Sequence, residues 1–136
     1  MAAIIMAAGE KNSINSYRDL IAWRKGIELV KFTYQETAEL PNDERFGLVV
    51  QMRRSAVSIP SNIAEGWGRH TRRDYVRFLH IARGSVFELC TQAEICRELQ
   101  LSGRWLDLVD KAEEVGRIIN GLIRSIQQLE RGLPNP

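Results

Sequence analysis

Cysteine, histidine and proline are scarce in this chain, and the few cysteines and histidines limit the reactions and metal sites that it could support. Its 136 residues include two cysteines, two histidines and four prolines. Cys90 and Cys96 fall in one predicted helix, about 9 Å apart along its axis, which is too far for a disulfide. The sequence has no CxxC redox or zinc motif. We therefore expect both cysteines to be reduced packing residues in a cytoplasmic, reducing compartment.

Motifs for catalysis are also missing from the sequence. His70 and His80 lie ten residues apart, and neither forms an HxxxH, HExxH or ExxH pair. There is no GxxxxGK[ST] phosphate loop and no GxSxG nucleophile turn. The Glu-x-x-His pairs of di-iron bundles are absent as well. The sequence therefore predicts a protein that is not an enzyme, with no catalytic residue, no metal site and no cofactor.

Long apolar runs do not occur either. No segment approaches the roughly 20 apolar residues that cross a bilayer, so no membrane partner is expected. The short apolar patch at Ile4–Met6 has no basic segment before it, which is not typical of a signal peptide. We expect residues 1–16 to be a disordered leader. Residues 17–132 are then one domain, large enough to bury its own core.

The charge of the chain is unevenly distributed although its net value is only +2. Residues 53–83 contain seven arginines against Glu65 and Asp74, whereas the segments before and after are each slightly acidic. All the excess positive charge therefore lies in the middle of the chain. Such a basic segment favours an acidic partner, and nucleic acid is the first candidate.

Apolar residues recur at spacings of three and four through four segments, which predicts four amphipathic helices. Asp19 is the predicted N-cap of the first helix, and Pro41 follows its end. Thr71 and Asp74 resemble a capping box before the third helix, and Ser102-Gly103 separates the third from the fourth. The predicted buried positions of the first helix are Leu20, Trp23, Ile27, Val30, Tyr34 and Thr37.

Similar faces are predicted for the other three helices. They are Leu48, Val49, Met52, Ala56, Ile59 and Ile63; Tyr75, Phe78, Leu79, Ala82, Val86, Leu89, Ala93 and Cys96; and Trp105, Leu108, Val109, Ala112, Val115, Ile119, Leu122, Ile126 and Leu129. Short connections between the helices predict an all-α, antiparallel, up-down-up-down left-handed four-helix bundle. Pro60 predicts a kink or break near residues 58–61. A full break there would leave a three-helix bundle as the alternative.

The third helix carries the first candidate site. With Tyr75, Leu79 and Val86 inside the bundle, its arginines fall on the outer face. The candidate nucleic-acid-binding residues are Arg69, Arg72, Arg73, Arg77, His80 and Arg83. Arginine contacts to phosphates would be independent of sequence and weakened by salt. No aromatic residue interrupts this stripe, which argues against stacking of single strands. The alternative is a solvated face whose arginines pair with acidic neighbours.

A second candidate cluster surrounds Pro60. It is predicted to be a subunit interface or a polar network that satisfies the altered helix turn, and a ligand or RNA site is the alternative. Gly84 in mid-helix costs about 1 kcal/mol, which suggests close approach by another subunit. The residues of this cluster are Arg53, Arg54, Ser58, Asn62, Glu65, Gly84, Ser85 and Glu88.

Three blocks of this sequence resemble a known family. Residues 51–66, QMRRSAVSIPSNIAEG, resemble the signature of the 23S rRNA-intervening-sequence proteins, also called four-helix bundle proteins. The opening DLIAWRK at residues 19–25 resembles the DL-x-x-W segment of the family, with Arg24 where glutamine is common. Residues 78–89 resemble its third-helix block. The resemblance covers about residues 17–129.

The resemblance implies the four-helix fold and a ring-shaped homo-oligomer, a homopentamer. It also implies a bacterial origin in genes inserted within large-subunit rRNA. A related branch, the accessory proteins of diversity-generating retroelements, forms basic pentameric barrels that bind a reverse transcriptase and nucleic acid. No activity is settled for the family. The predicted function is therefore electrostatic binding of rRNA or another nucleic acid. The alternative is a protein–protein adaptor ring that docks a partner such as a reverse transcriptase.

Overall fold

Four helices make up most of the described chain. The computed structural model describes residues 14–44 and 47–132. The helices are α1 (Ile21–Thr37), α2 (Leu48–Trp67), α3 (Arg72–Glu98) and α4 (Trp105–Glu130), and 3-10 turns at Tyr17–Asp19 and Asn42–Glu44 precede the first two. Each helix packs against its neighbours in the chain, and α1 also packs against α4. The prediction of an all-α fold with four helices is confirmed.

Helix α2 runs unbroken through Pro60, so the three-helix alternative is wrong. Pro60 is buried, and its ring lies against Gly26 of α1. A Cβ atom at Gly26 would lie 3.3 Å from the Cβ atom of Pro60, so a larger side chain at this position would crowd the proline ring. Close packing against α1 therefore accommodates the proline within a continuous helix, although its ring removes one backbone donor.

The predicted buried faces of α2, α3 and α4 are confirmed with small exceptions. All eight predicted positions of α3 are buried. Leu48 of α2 and Val109 and Leu129 of α4 are half-buried at the margins of the core. Among these three helices the periodicity of large apolar residues therefore identifies the core correctly.

The predicted buried face of α1 is correct only in part, since Leu20 and Thr37 are buried but the four positions between them are not. Ile27 and Tyr34 are 37% and 42% exposed, and Trp23 and Val30 are half-buried. The buried residues outside the predicted set are four small or polar ones together with two large apolar ones, namely Ala22, Gly26, Thr33 and Glu36, and Leu29 and Phe32. Thr33 and Thr37 satisfy their hydroxyls by donating to backbone oxygens one turn earlier. Because small residues carry little apolar signal, the hydrophobic pattern alone selected the neighbouring face.

The helix starts give one confirmation and one correction. The Thr71 hydroxyl accepts a 3.1 Å hydrogen bond from the backbone N–H of Asp74, as a capping residue should. Asp19 does not cap α1, since its carboxylate accepts from the backbone N–H groups of Asn15 and Ser16, which lie just before the 3-10 turn. Ile14 is 2% exposed, so core packing begins before the predicted boundary at residue 17. The rest of the predicted leader, residues 1–13, lies outside the described residues.

A buried carboxylate connects α1 to the segment before α4. Glu36 accepts hydrogen bonds from the backbone N–H of Arg104 at 2.8 Å and from its Nη2 atom at 3.1 Å. The guanidinium of Arg104 also lies 4.6 Å above the ring of Phe32. Hydrogen bonds that involve charged groups are stronger than neutral ones, so this contact fixes the connection against the bundle.

Candidate nucleic-acid interface

The six residues predicted to bind nucleic acid lie at the start of α3 and just before it. Arg73, Arg77 and His80 are exposed on its outer face, as the helical pattern predicts. Arg69, Arg72 and Arg83 are half-buried beside this face. The structure therefore brings the predicted residues together on one surface. Some of these side chains are bound to other groups of the chain, and others are not.

Arg69 and Arg77 are held by contacts inside the chain. The Nη2 atom of Arg69 lies 2.8 Å from Glu65, and the Nε atom of Arg77 lies 3.7 Å from Asp74. Both guanidiniums also lie over the ring of Phe78, at 4.5 and 4.6 Å from its centre. Exposed ion pairs of this kind contribute roughly 0–1 kcal/mol, so a phosphate can compete for these arginines.

Arg72 and Arg73 differ from these two arginines because no group in the described part of the chain pairs with them. Within residues 14–44 and 47–132, neither has a carboxylate partner or a hydrogen-bond acceptor, and the same is true of the His80 side chain. Two of the six residues therefore pair with acidic neighbours, as the alternative supposes. The other arginines of the set form no ion pair among the described residues, so positive charge remains on this surface.

Arg83 connects this face of α3 to α4. Its Nη1 atom donates a 3.0 Å hydrogen bond to Asn120, and its guanidinium lies 5.7 Å from the ring of Phe87. Phe87 is 59% exposed. Phe87 follows Arg83 by one helical turn and shares its side of α3, so an exposed aromatic ring lies just beyond the end of the predicted stripe.

Three arginines of α4 lie near this surface, and the charge pattern of the sequence did not point to them. Arg117, Arg124 and Arg131 recur every seven residues and are all exposed. None of them forms an ion pair with any residue in the described part of the chain. The spacing of seven could have revealed this row, but acidic residues earlier in the same helix concealed it in the charge of the whole segment.

The second predicted cluster forms a polar network only in part. The hydroxyls of Ser58 and Ser85 lie 2.8 Å apart and join α2 to α3. The side-chain amide of Asn62 donates to the Ser58 backbone oxygen at 2.8 Å and to its hydroxyl at 2.9 Å. Arg54 and Glu88 line a recess of about 420 Å³ beside these serines, and they form no ion pair with each other or elsewhere in the described residues.

The remaining members of that cluster lie elsewhere. Arg53 turns toward α1, where its Nε atom donates to the Thr37 hydroxyl at 2.9 Å and its guanidinium lies 4.4 Å above the ring of Tyr34. Glu65 pairs with Arg69. A Cβ atom at Gly84 would meet nothing within 4 Å, so this part of α3 is open.

Neither thiol shows signs of reactivity. Burial, with smaller effects from Glu113 and Glu94, raises the pKa of Cys90 from 9.0 to about 11. Burial, with a smaller effect from Glu44, raises the pKa of Cys96 to the same value. Both side chains are free of disulfides, and the Cys96 thiol lies 3.7 Å from the Met52 sulfur in the core.

Two other kinds of site are absent from the described residues. They contain no group of three or more His, Cys, Asp or Glu side chains that could hold a metal ion. No helix among them has the length and apolar character needed to span a bilayer.

Comparison with known proteins identifies the family. A solved structure from Bacteroides thetaiotaomicron, described as a protein of unknown function from the S23 ribosomal protein family, superposes with a TM-score of 0.70. It shares 21% identity and covers 76% of this chain and 96% of its own, which shows a common fold. No curated protein matches the chain. The model of the 23S rRNA-intervening sequence protein family matches residues 18–121, and the chain therefore belongs to that family.

Proposed function

We propose that this protein is a non-enzymatic, homo-oligomeric bundle of the cytoplasm that binds structured RNA, or another nucleic acid, through the first half of α3. The observation that carries the proposal is the charge of Arg72 and Arg73, which have no acidic partner among the described residues. Arg77 lies four residues beyond Arg73, about 6 Å along the helix, so the two can reach successive phosphates.

Ribosomal RNA is the first ligand to test. The family description refers to the intervening sequence of 23S rRNA, which supports an RNA partner. Contacts between arginines and phosphates carry no sequence information by themselves. The proposal therefore concerns the charge and shape of the RNA, and its affinity should fall steeply with salt.

The proposed topology is the antiparallel, up-down-up-down left-handed bundle. Contacts between helices support the alternation of direction. Met52 of α2 meets Cys96 late in α3, whereas Gly66, late in α2, lies against Tyr75 near the start of α3. Residue numbers thus rise in opposite directions along these two helices.

Self-association is supported by an apolar strip on the outside of α1 and α2. Its exposed members are Ile27, Tyr34, Val50 and Val57. Exposed apolar patches on soluble proteins commonly mark contact surfaces. We propose that this strip contacts another copy in the homopentameric ring that the family resemblance implies. Light scattering tests this directly, since a mass near 15.5 kDa would show a monomer and contradict it.

Binding is tested by fluorescence anisotropy with fragments of 23S rRNA over a salt series. The variant Arg73→Glu/Arg77→Glu should bind at least about tenfold more weakly at low salt, because it reverses two adjacent charges. The proposal fails if the wild-type protein does not bind at low salt, or if the variant binds equally well.

The second candidate is a protein–protein adaptor ring, with a reverse transcriptase as one possible partner. The recess that contains Arg54 and Glu88 favours it, since their unpaired opposite charges could complement a polar partner surface. Affinity capture from nuclease-treated lysate separates the two functions. A partner protein that remains bound after nuclease treatment, and that no longer binds the Arg54→Glu variant, favours the adaptor.

A further inference from the structure

The arginines of α4 extend the proposed surface into two parallel rows. We infer that these rows bind a double-stranded nucleic acid, with Arg117, Arg124 and Arg131 on one side and the α3 arginines on the other. This inference rests on the proposed function and specifies its ligand. The α3 row consists of Arg72, Arg73, Arg77 and Arg83.

Contacts between α3 and α4 place the two rows side by side. Arg83 bonds to Asn120, and Val86 lies against Gly116, so residue numbers rise on one helix as they fall on the other. Arg131 comes eleven residues after Asn120, and Arg72 comes eleven residues before Arg83. With the same rise per residue, both ends lie about 16 Å from the Arg83–Asn120 bond, so the rows run alongside each other over that length.

The second row lies in a part of the bundle where positive charge dominates. Contacts at Gly26–Pro60, Ser58–Ser85 and Val86–Gly116 mark a middle level across the four helices. On one side, residues 14–27, 59–85 and 117–132 contain eleven basic and four acidic side chains. We call this the basic half.

The other side has the opposite character. Residues 28–44, 47–58 and 86–116 contain six basic and twelve acidic side chains. We call this the acidic half. Charge of opposite sign at the two ends steers a polyanion to one end and repels it from the other. The nucleic acid should therefore contact the basic half alone.

The separation of the rows favours a duplex over a single strand. Packed helices lie about 8–10 Å apart, and a duplex of RNA or DNA presents two lines of phosphates, one on each side of every groove. Two rows at this distance can contact phosphates on both sides of one groove. A single strand offers one line of phosphates and is usually bound with the help of several stacked aromatics. Phe87, at the end of the α3 row, supplies one such ring.

The test compares a 20-base-pair RNA duplex with a 20-nucleotide poly-uridine strand across a salt series. Three variants with equal changes in charge are needed: Arg117→Glu/Arg124→Glu for α4, Arg73→Glu/Arg77→Glu for α3, and Arg97→Glu/Lys111→Glu as a control in the acidic half. Each replaces exposed side chains, and circular dichroism checks the fold. If an α4 or α3 variant misfolds, the corresponding glutamine variant takes its place.

Both basic-half variants should weaken duplex binding by about tenfold or more at low salt, while the control stays within about twofold. The slope of log K against log salt should fall by about two for each variant, because each has two fewer arginines that neutralise a phosphate. The wild type should prefer the duplex to the single strand.

Three other results would each overturn a different part of the account. Loss of binding in the α3 variant but not in the α4 variant overturns the second row and leaves the proposed function intact. Equal affinity for duplex and single strand overturns the ligand class. Wild-type affinity in both variants overturns the proposed function together with the inference.

Discussion

The basic and acidic halves use the same side chain in different ways. In the acidic half Arg53, Arg97 and Arg104 are bound to groups of the protein itself, and Arg104 contacts the buried Glu36. In the basic half Arg72 and Arg73, like the three arginines of α4, have no such partner among the described residues. An arginine held inside the chain stabilises the fold, whereas an unpaired one at the surface is available to an external anion.

Each half also contains an exception to this difference. Arg54 of the acidic half is unpaired within the described residues and lines the α2–α3 recess, and Arg69 of the basic half pairs with Glu65. The kind of partner therefore says more about an arginine than the half in which it lies. Arg104 is held by the buried Glu36, whereas the partners of Arg69 and Arg77 are exposed carboxylates that a phosphate can replace.

The largest expected effect combines the two rows. Replacing Arg73, Arg77, Arg117 and Arg124 together by glutamate should weaken duplex binding by about 100-fold or more at low salt, because charges that contact separate phosphates are removed from both rows. Anisotropy measures the decrease in affinity. A quadruple variant no weaker than either double variant would show that one row alone binds.

The second prediction concerns the interior of the basic half, where a buried glycine of α2 packs against α3. A Cβ atom at Gly66 would lie 2.9 Å from Phe78 and 3.0 Å from Tyr75, so Gly66→Ala should cost about 1–3 kcal/mol by overpacking. Urea denaturation measures the change. An unaltered midpoint would mean that α2 and α3 separate easily at this point.

The third prediction compares the contributions of two arginines, Arg104 and Arg73, to the stability of the fold. Arg104→Ala should lower the free energy of unfolding by about 1.5–2 kcal/mol, because it removes charged hydrogen bonds to the mostly buried Glu36. Arg73→Ala should change it by less than about 0.5 kcal/mol, since Arg73 bonds to no other group within residues 14–44 and 47–132. Thermal and urea unfolding provide both values. Similar costs for the two substitutions would contradict the division between structural and free arginines.

The smallest expected effect is at Gly84, on the open face of α3. Gly84→Ala should raise the free energy of unfolding by about 0.5–1 kcal/mol, because alanine favours the helix and its methyl group meets no atom within 4 Å. The mass of the assembly should stay the same in light scattering. Dissociation of the variant would instead indicate that another subunit packs closely against this glycine.

The sequence predicted the fold well where large apolar residues form the core. The face of α3 was correct from Tyr75 to Cys96, since every predicted residue there is large or apolar enough to show the helical period. The face of α1 was correct only at its two ends, because Gly26 and Thr33 are buried against neighbours that only the tertiary structure reveals. Pro60 was predicted to bend or break α2, and its contact with Gly26 could not be read from either segment alone.

The sequence pointed to the α3 arginines of the candidate site but not to those of α4. The α3 row is contiguous in sequence, so its charge was visible in residues 69–83. The α4 row includes Arg117 and Arg124, which belong to a segment that is acidic overall. Only the pairing of α3 with α4, seen in the bond between Arg83 and Asn120, places the two rows together.

The most direct test of the central claim is to observe the arginine side chains during binding. In a ¹⁵N-labelled protein titrated with the 20-base-pair RNA duplex, the Nε–H signals of Arg73, Arg77, Arg117 and Arg124 should shift, while those of Arg97 and Arg104 stay in place. Shifts confined to Arg97 and Arg104, or no shift in any of the six at low salt, would contradict the account.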